Sequence, residues 1–328
     1  MTISGDRKIA SVISEATYGV DVISPGPASI FQAFREIMVM PMVTAIESPR
    51  ATATASGEKH CVMTSHNDVS WEMPFAGKTG AAGTEPAYDA FMLAAGFAKT
   101  VVAATSVTYA PRTVNNMADT PSATIYLYKY RLNDANAYLL KAFGYRGNVT
   151  MTMSMGEEAV IAGTGLSLYS AYPTSTVAKP TAPTSYLGGS CMVVTSLVVT
   201  VGSTSYPVES FEIQSNWALT EIRTGAATGG TLSAVLLTRP SSGGRMTGSF
   251  TLVDGATAFQ DMITKWTSGA QATLSAVITN GTDTVTITAP NMQLGQPSEA
   301  AEGVLKFDVP VYFNRGTSGD DELSIAYT

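Results

Sequence analysis

His60, Cys61 and His66 are the residues best suited to binding a metal, since imidazole and thiolate are both zinc ligands. A structural zinc site wants four ligands with paired spacing. Three stand here and the chain has only 2 histidines, so no metal centre is expected. Gly77-Lys78-Thr79-Gly80 is the next candidate, because a Gly-rich turn with Lys and Thr can cradle phosphate. The full G-x-x-x-x-G-K-[ST] pattern needs a glycine where Glu72 stands. The segment therefore reads as a flexible loop. Glu157-Glu158 and Asp320-Asp321-Glu322 have the groups for calcium binding or acid–base work. Neither cluster has alternating ligand spacing, and both read as solvated turns. No G-x-S-x-G elbow is present, and two histidines leave little material for a hydrolase triad. The expectation is a protein that is not an enzyme, with no catalytic, cofactor-binding or metal-binding residue and no cofactor. Cys61 and Cys191, one in each half, form no disulfide framework and read as reduced, buried thiols.

The elements around these residues repeat. Val69 to Phe75 alternates apolar and polar, and a helical pattern then puts Tyr88, Phe91, Met92 and Ala95 on one face. Downstream, Met246, Gly248, Phe250 and Leu252 alternate in the same way. Phe259, Met262, Ile263 and Trp266 follow at helical spacing. A strand of period two comes after each helix, Val149 to Met153 and Val285 to Ala289. Ile46-Glu47-Ser48 and Val208-Glu209-Ser210 precede them. Four matches in one order argue for duplication. The predicted fold is mainly β: two tandem sandwich or barrel modules, each with one flanking α-helix. The helical stripes are expected to pack on a sheet.

The predicted organisation has four parts. Residues 1–36 read as an arm reaching onto a neighbour, with Ala28 to Ile37 as a short helix; a disordered or locally packed terminus is the alternative. Residues 37–170 form the first module, with 99–122 as an insertion. Its helix has Thr84 as N-cap, Glu85 and Pro86 in the first turn and Gly96 at the end. Residues 171–190, rich in Pro, Ser and Thr, read as a linker. Residues 191–328 form the second module, with an Asn280-Gly281 hairpin turn. There Leu305, Phe307, Val309 and Val311 share one strand face, and 192–199 reads as a strand. The arm, the 77–83 loop and the insertion are expected at subunit contacts.

Composition narrows the function. Hydrophobic residues make up 45% and charged residues only 14% of 328 positions, which excludes a disordered chain and suits a surface covered by neighbours. The net charge of −7 and the lack of a basic stripe argue against binding to nucleic acid. No N-terminal h-region and no run of about 18 apolar residues appear, so a non-membrane chain made and kept in the cytosol, unless exported inside a particle, is expected.

Gly83-Thr84-Glu85-Pro86-Ala87-Tyr88-Asp89-Ala90-Phe91-Met92-Leu93-Ala94-Ala95-Gly96-Phe97, then Val107-Thr108-Tyr109-Ala110-Pro111, resembles the first half of the tail tube (major tail) proteins of long-tailed bacteriophages. Tyr145-Arg146-Gly147-Asn148-Val149-Thr150 and Gly319-Asp320-Asp321-Glu322-Leu323 resemble the same family. The likeness runs from about residue 37 onward and lies in the order of the segments. It implies a virion tail component, assembled in the host cytoplasm into stacked rings around a lumen that conducts DNA without specific binding. It also implies other tail proteins at the tube ends. Family rings present six modules, so three two-module chains would close a pseudo-sixfold ring. A net-negative lumen lined by the sheet faces of both modules is expected, because a like-charged wall keeps a polyanion centred. The competing reading is a surface adhesion or carbohydrate-binding β-sandwich, for which Tyr126, Tyr128 and Tyr130 are the one candidate aromatic patch.

Overall fold

A computed structural model of the chain describes residues 7–23, 31–47, 60–75, 82–112, 120–130, 135–181, 192–223, 232–238, 246–253, 256–279, 283–299, 306–316 and 320–328. The first half holds β1 (Arg7–Glu15), β2 (Glu36–Glu47), β3 (His60–Pro74), α1 (Asp89–Ala94), β4 (Phe97–Val102), β5 (Ser106–Pro111), β6 (Ser122–Tyr130), β7 (Asn136–Ser154), β8 (Val160–Ser167) and β9 (Val177–Ala178). The second holds β10 (Ser196–Val201), β11 (Thr204–Ser215), β12 (Ala218–Ile222), β13 (Ala234–Thr238), β14 (Met246–Leu252), α2 (Ala256–Ser268), β15 (Ala272–Thr279), β16 (Thr284–Leu294), β17 (Ser298–Glu299), β18 (Phe307–Phe313) and β19 (Ser324–Tyr327). The protein is mainly β, and every strand pairing is antiparallel.

In the first half the pairing runs β1–β6–β7–β8–β3–β2. In the second it runs β10–β15–β16–β18–β14–β11. The two series follow the same order along the chain. The second closes on itself through β10–β11, joined by a tight turn at Gly202, which takes φ +65°. In the first series β1 and β2 are not paired among the described residues.

Strands β7 and β11 are long enough to serve two sheets. Residues 138–145 of β7 pair with β6, whereas 146–152 pair with β8 and 150–154 with β11. One sheet thus crosses both halves in the order β2–β3–β8–β7–β11–β14–β18–β16. A second joint forms where β5 pairs with the C-terminal β19.

The core between the layers is one continuous cluster. Phe91 of α1 stacks on Trp71 with ring centroids 3.9 Å apart and meets Tyr145 edge-on. The stripe Tyr88, Phe91, Met92 and Ala95 is fully buried, as its spacing predicts. In α2, Met262 is buried, and Phe259 and Trp266 pack at the core's margin. Phe259 stacks on Phe307 at 3.8 Å.

Several expectations need correction. Residues 7–15 are not an arm: they form β1, which pairs along its whole length with β6 and buries Ile9, Ala10 and Val12. No helix covers the described part of 28–37; Phe31 and Gln32 run alongside β1 instead, and Gln32 hydrogen-bonds both backbone groups of Val12 at 2.9 Å. The α1 helix begins at Asp89 rather than after Thr84, because Pro86 disfavours helical backbone at Glu85. Residues 97–111 form the hairpin β4–β5, with Val107 and Tyr109 wholly buried, so this part of the 99–122 segment belongs to the core. Within 171–190, β9 pairs with Asn136 and Ala137. The strand expected over 192–199 starts at Ser196. Val149 to Met153 and Val285 to Ala289 sit at different levels of their strands: the former lies against β8 and β11, the latter against β15. Asn280-Gly281 and Leu305 lie outside the described residues; β15 and β16 do pair as a hairpin, with Thr279 opposite Thr284, which leaves four residues between the paired ends rather than two.

Candidate functional site

The chemically suggestive residues do not converge. His66 Nε2 lies 3.0 Å from Asp68 Oδ1, and its Nδ1 lies 3.6 Å from Glu221 Oε1. The His60 and Cys61 side chains, Cys191 and the Gly77 to Gly80 segment lie outside the described residues. Glu157 and Glu158 turn between β7 and β8, where Glu158 meets Arg35 at 3.8 Å. Asp321 Oδ1 accepts the Gly316 N–H at 2.6 Å and shapes the approach to β19. Among the described residues no group of three or more His, Cys, Asp or Glu is arranged to hold a metal ion. Tyr126 and Tyr128 are not an exposed patch. They are buried in a second cluster with Ile9, Ile23 and Phe31, and Tyr126 donates to Ile23 O at 3.0 Å.

The feature that spans the molecule is the outward face of the sheet shared by both halves. Strict alternation sends Ile37, Val39, Val69, Trp71, Met151, Phe211, Phe250 and Val309 into the core. The residues between them point out, and the register sets them in rows. Glu72, Ala162, Thr150, Gln214, Thr247 and Tyr312 form one row. Thr152, Glu212, Ser249 and Pro310 form the next, and Ser154, Ser210, Thr251 and Asp308 a third. Ser210 Oγ bonds Thr251 Oγ1 at 3.0 Å, and Thr251 Oγ1 donates to Asp308 Oδ1 at 2.6 Å. A shallow concavity over the first half is lined by Glu36, Ser70, Glu72, Asn148, Thr150 and Thr164.

The exposed charge on the strands of this face is acidic. Glu36, Asp68, Glu72, Glu212 and Asp308 project from them, while Arg146 of β7, in the row of Asp68 and Leu166, is buried and donates to the carbonyls of Thr120 and Val235. Two cations stand at its margins, each held by a carboxylate: Arg35 by Glu72 at 3.1 Å and Lys306 by Glu209 at 2.6 Å. Such a surface offers phosphate no cation to displace its counterions. Ser210, Thr251 and Asp308 are bonded to one another across strands, and Asn148 holds both backbone groups of Trp217.

A sequence profile of phage tail tube proteins matches residues 5–311, nearly the whole chain. The chain belongs to the phage tail tube protein family. Membership makes it a structural component of a phage tail, one that self-assembles into a tube with other tail proteins. No curated protein matches the chain. No helix among the described residues is long and apolar enough to cross a membrane. The polar members of this face were legible as the outward half of each alternating strand. That these strands lie side by side was not, because the joint β7–β11 links residues about sixty positions apart.

Proposed function

We propose that this chain is the repeating subunit of the tube wall. Three copies close a ring with pseudo-sixfold symmetry, and rings stack around a lumen through which genomic DNA passes during ejection. The carrying observation is the sheet that runs unbroken through both halves with an acidic, hydroxyl-rich outer face. On this reading each half is one module, and the matching strand orders support descent from a single ancestor module. The first module then starts at β1, not near residue 37, because β1 occupies the place of β10. Each module contributes four strands to the shared sheet.

The same sheet suggests how the ring closes. Its two ends, β2 and the segment of β16 and β17 over residues 293–299, have no strand on their outer edges among the described residues. An unpaired edge is a template for another chain. Joining β2 of one copy to that segment of the next continues the sheet as β7–β11 does within the chain. The shared face becomes the lumen wall. Its carboxylates repel the DNA backbone and keep it from adhering. The protein has no catalytic task here; it assembles in the host cytoplasm, and other tail proteins cap the two ends of the tube.

Electron microscopy of purified protein tests this reading. Tubes or rings with three chains per turn, and the shared sheet inward, are expected. Rings of six chains would refute the stoichiometry, and a lumen lined by the opposite sheet would refute the wall assignment.

A further inference from the structure

We propose that the joints around the ring alternate between two kinds, so that the rigid building unit is the whole chain rather than the single module. This rests on the ring reading above. Within the chain the two halves meet through two pairings of strands, besides an isolated bridge between Glu158 and Val193. One is β7–β11 in the shared sheet, and the other is β5–β19, with Tyr109 opposite Ile325 and Val107 opposite Tyr327. The second pairing acts as a clasp. Val107, Tyr109 and Ile325 are fully buried, and Tyr327 packs against Phe75, Tyr88 and Tyr109 with centroids 5.8, 6.3 and 5.8 Å away.

The clasp hairpin is also tied to its own helix. Tyr109 donates to Asp89 Oδ1 at 2.6 Å, and Lys99 Nζ to Asp89 Oδ2 at 2.8 Å. Trp217 of the second half donates its indole N–H to the carbonyl of Ala95 at 2.8 Å, where the chain leaves α1.

The next joint around the ring, from the second half of one copy to the first half of the following copy, has no strands among the described residues to make this clasp. After α2 the chain passes through Gly269, Ala270 and Gln271 directly into β15, leaving no room for a counterpart of β4–β5. The partner side differs too. Where the second half continues from β18 to β19, the first half continues from β8 into β9, which reaches only Asn136 and Ala137. Three joints in each ring are clasped and buried; three lack the clasp and rest on the sheet edges. A ring under stress therefore opens at alternate joints and releases whole chains with their halves still locked.

Hydrogen exchange on assembled tubes, stepped through increasing denaturant, tests this, with native mass spectrometry of what is released. Amides of 36–43 and 293–299 are expected to lose protection first, as single folded chains of 34.3 kDa appear. Amides of β5 and β19 should stay protected in those released chains. Loss of protection in β5 and β19 together with, or before, the β2 edge would overturn the alternation. A chain that remains monomeric at every concentration would overturn the ring reading and, with it, this inference. Protected β5 and β19 in such a monomer would show that the clasp itself had survived.

Discussion

At the scale of single residues, the first half is organised around a tryptophan with a glycine beneath it. A Cβ at Gly163 would lie 2.6 Å from the Trp71 ring and 2.7 Å from the Asn148 carbonyl oxygen. Trp71 has no room to yield, since Phe91 stacks on it and its indole N–H donates to the Tyr145 hydroxyl at 2.9 Å. Gly163→Ala is therefore expected to cost about 1–3 kcal/mol, the usual range for overpacking. Urea unfolding monitored by tryptophan emission checks this, and an unchanged midpoint would show that the indole can move. The buried tyrosines set an alkaline limit. Burial, opposed by the Val235 N–H and the nearby Arg146, pushes the Tyr18 hydroxyl up to about 12. Burial likewise raises Tyr109, where Asp89 adds to the effect, and raises Tyr145 and Tyr327. Above about pH 10 these groups ionise in the unfolded chain but stay protonated in the fold. The unfolded state then binds fewer protons, so stability falls as pH rises from about 10 towards 12. Phenolate absorbance should appear in step with loss of near-ultraviolet circular dichroism. Phenolate formed without unfolding would contradict it.

At the scale of elements, two segments outside the first apparent repeat carry core strands. Glu15, at the end of β1, is buried and accepts from Thr124 and the Gly144 N–H at 2.8 Å each. Removing residues 1–15 would strip β6 of one of its two partners and leave Ser122, Thr124 and Gly144 without their acceptor. Unsatisfied buried donors cost about 1–3 kcal/mol each. The truncated chain is expected to be insoluble or to lose cooperative unfolding, whereas removal of a free arm would leave the transition intact. Deleting 99–112 should be as damaging, since it takes Val107 and Tyr109 from the core and exposes Tyr327. Soluble yield and calorimetry separate these outcomes from a dispensable insertion.

At the scale of the whole molecule, the proposed tube wall makes the sign of charge on the shared sheet the property to test. Glu212 and Asp308 project from strands whose inward residues are untouched by changes on the outer face. Glu212→Lys with Asp308→Lys is expected to leave folding and tube formation largely intact while introducing six lysines per three-chain ring. DNA should then be retained in the tube at low salt and released as salt rises, with a steep dependence on salt concentration. Co-sedimentation of DNA with tubes across a salt series reads this out. Retention equal to that of the unaltered protein at every salt concentration would remove charge as the reason for free passage.

The sequence by itself determined the β-rich class, the burial of the first helical stripe and the kinship with tail tube proteins. Each of these rests on local periodicity or on segment order along the chain: Tyr88, Phe91, Met92 and Ala95 recur at helical spacing, and Phe307, Val309 and Val311 at strand spacing. Tertiary structure alone decided which strands lie beside which. Ser11 and Tyr126 alternate as plainly as solvent-facing residues do, yet both are buried, and Ile23 and Phe31 pack in the cluster that holds Tyr126. The pairings β7–β11 and β5–β19 join residues far apart in the chain, and antiparallel pairing follows backbone hydrogen bonding and shape more than side-chain identity. A strand's own residues state which face is apolar. They do not state whether its edge meets solvent, its own chain or another copy.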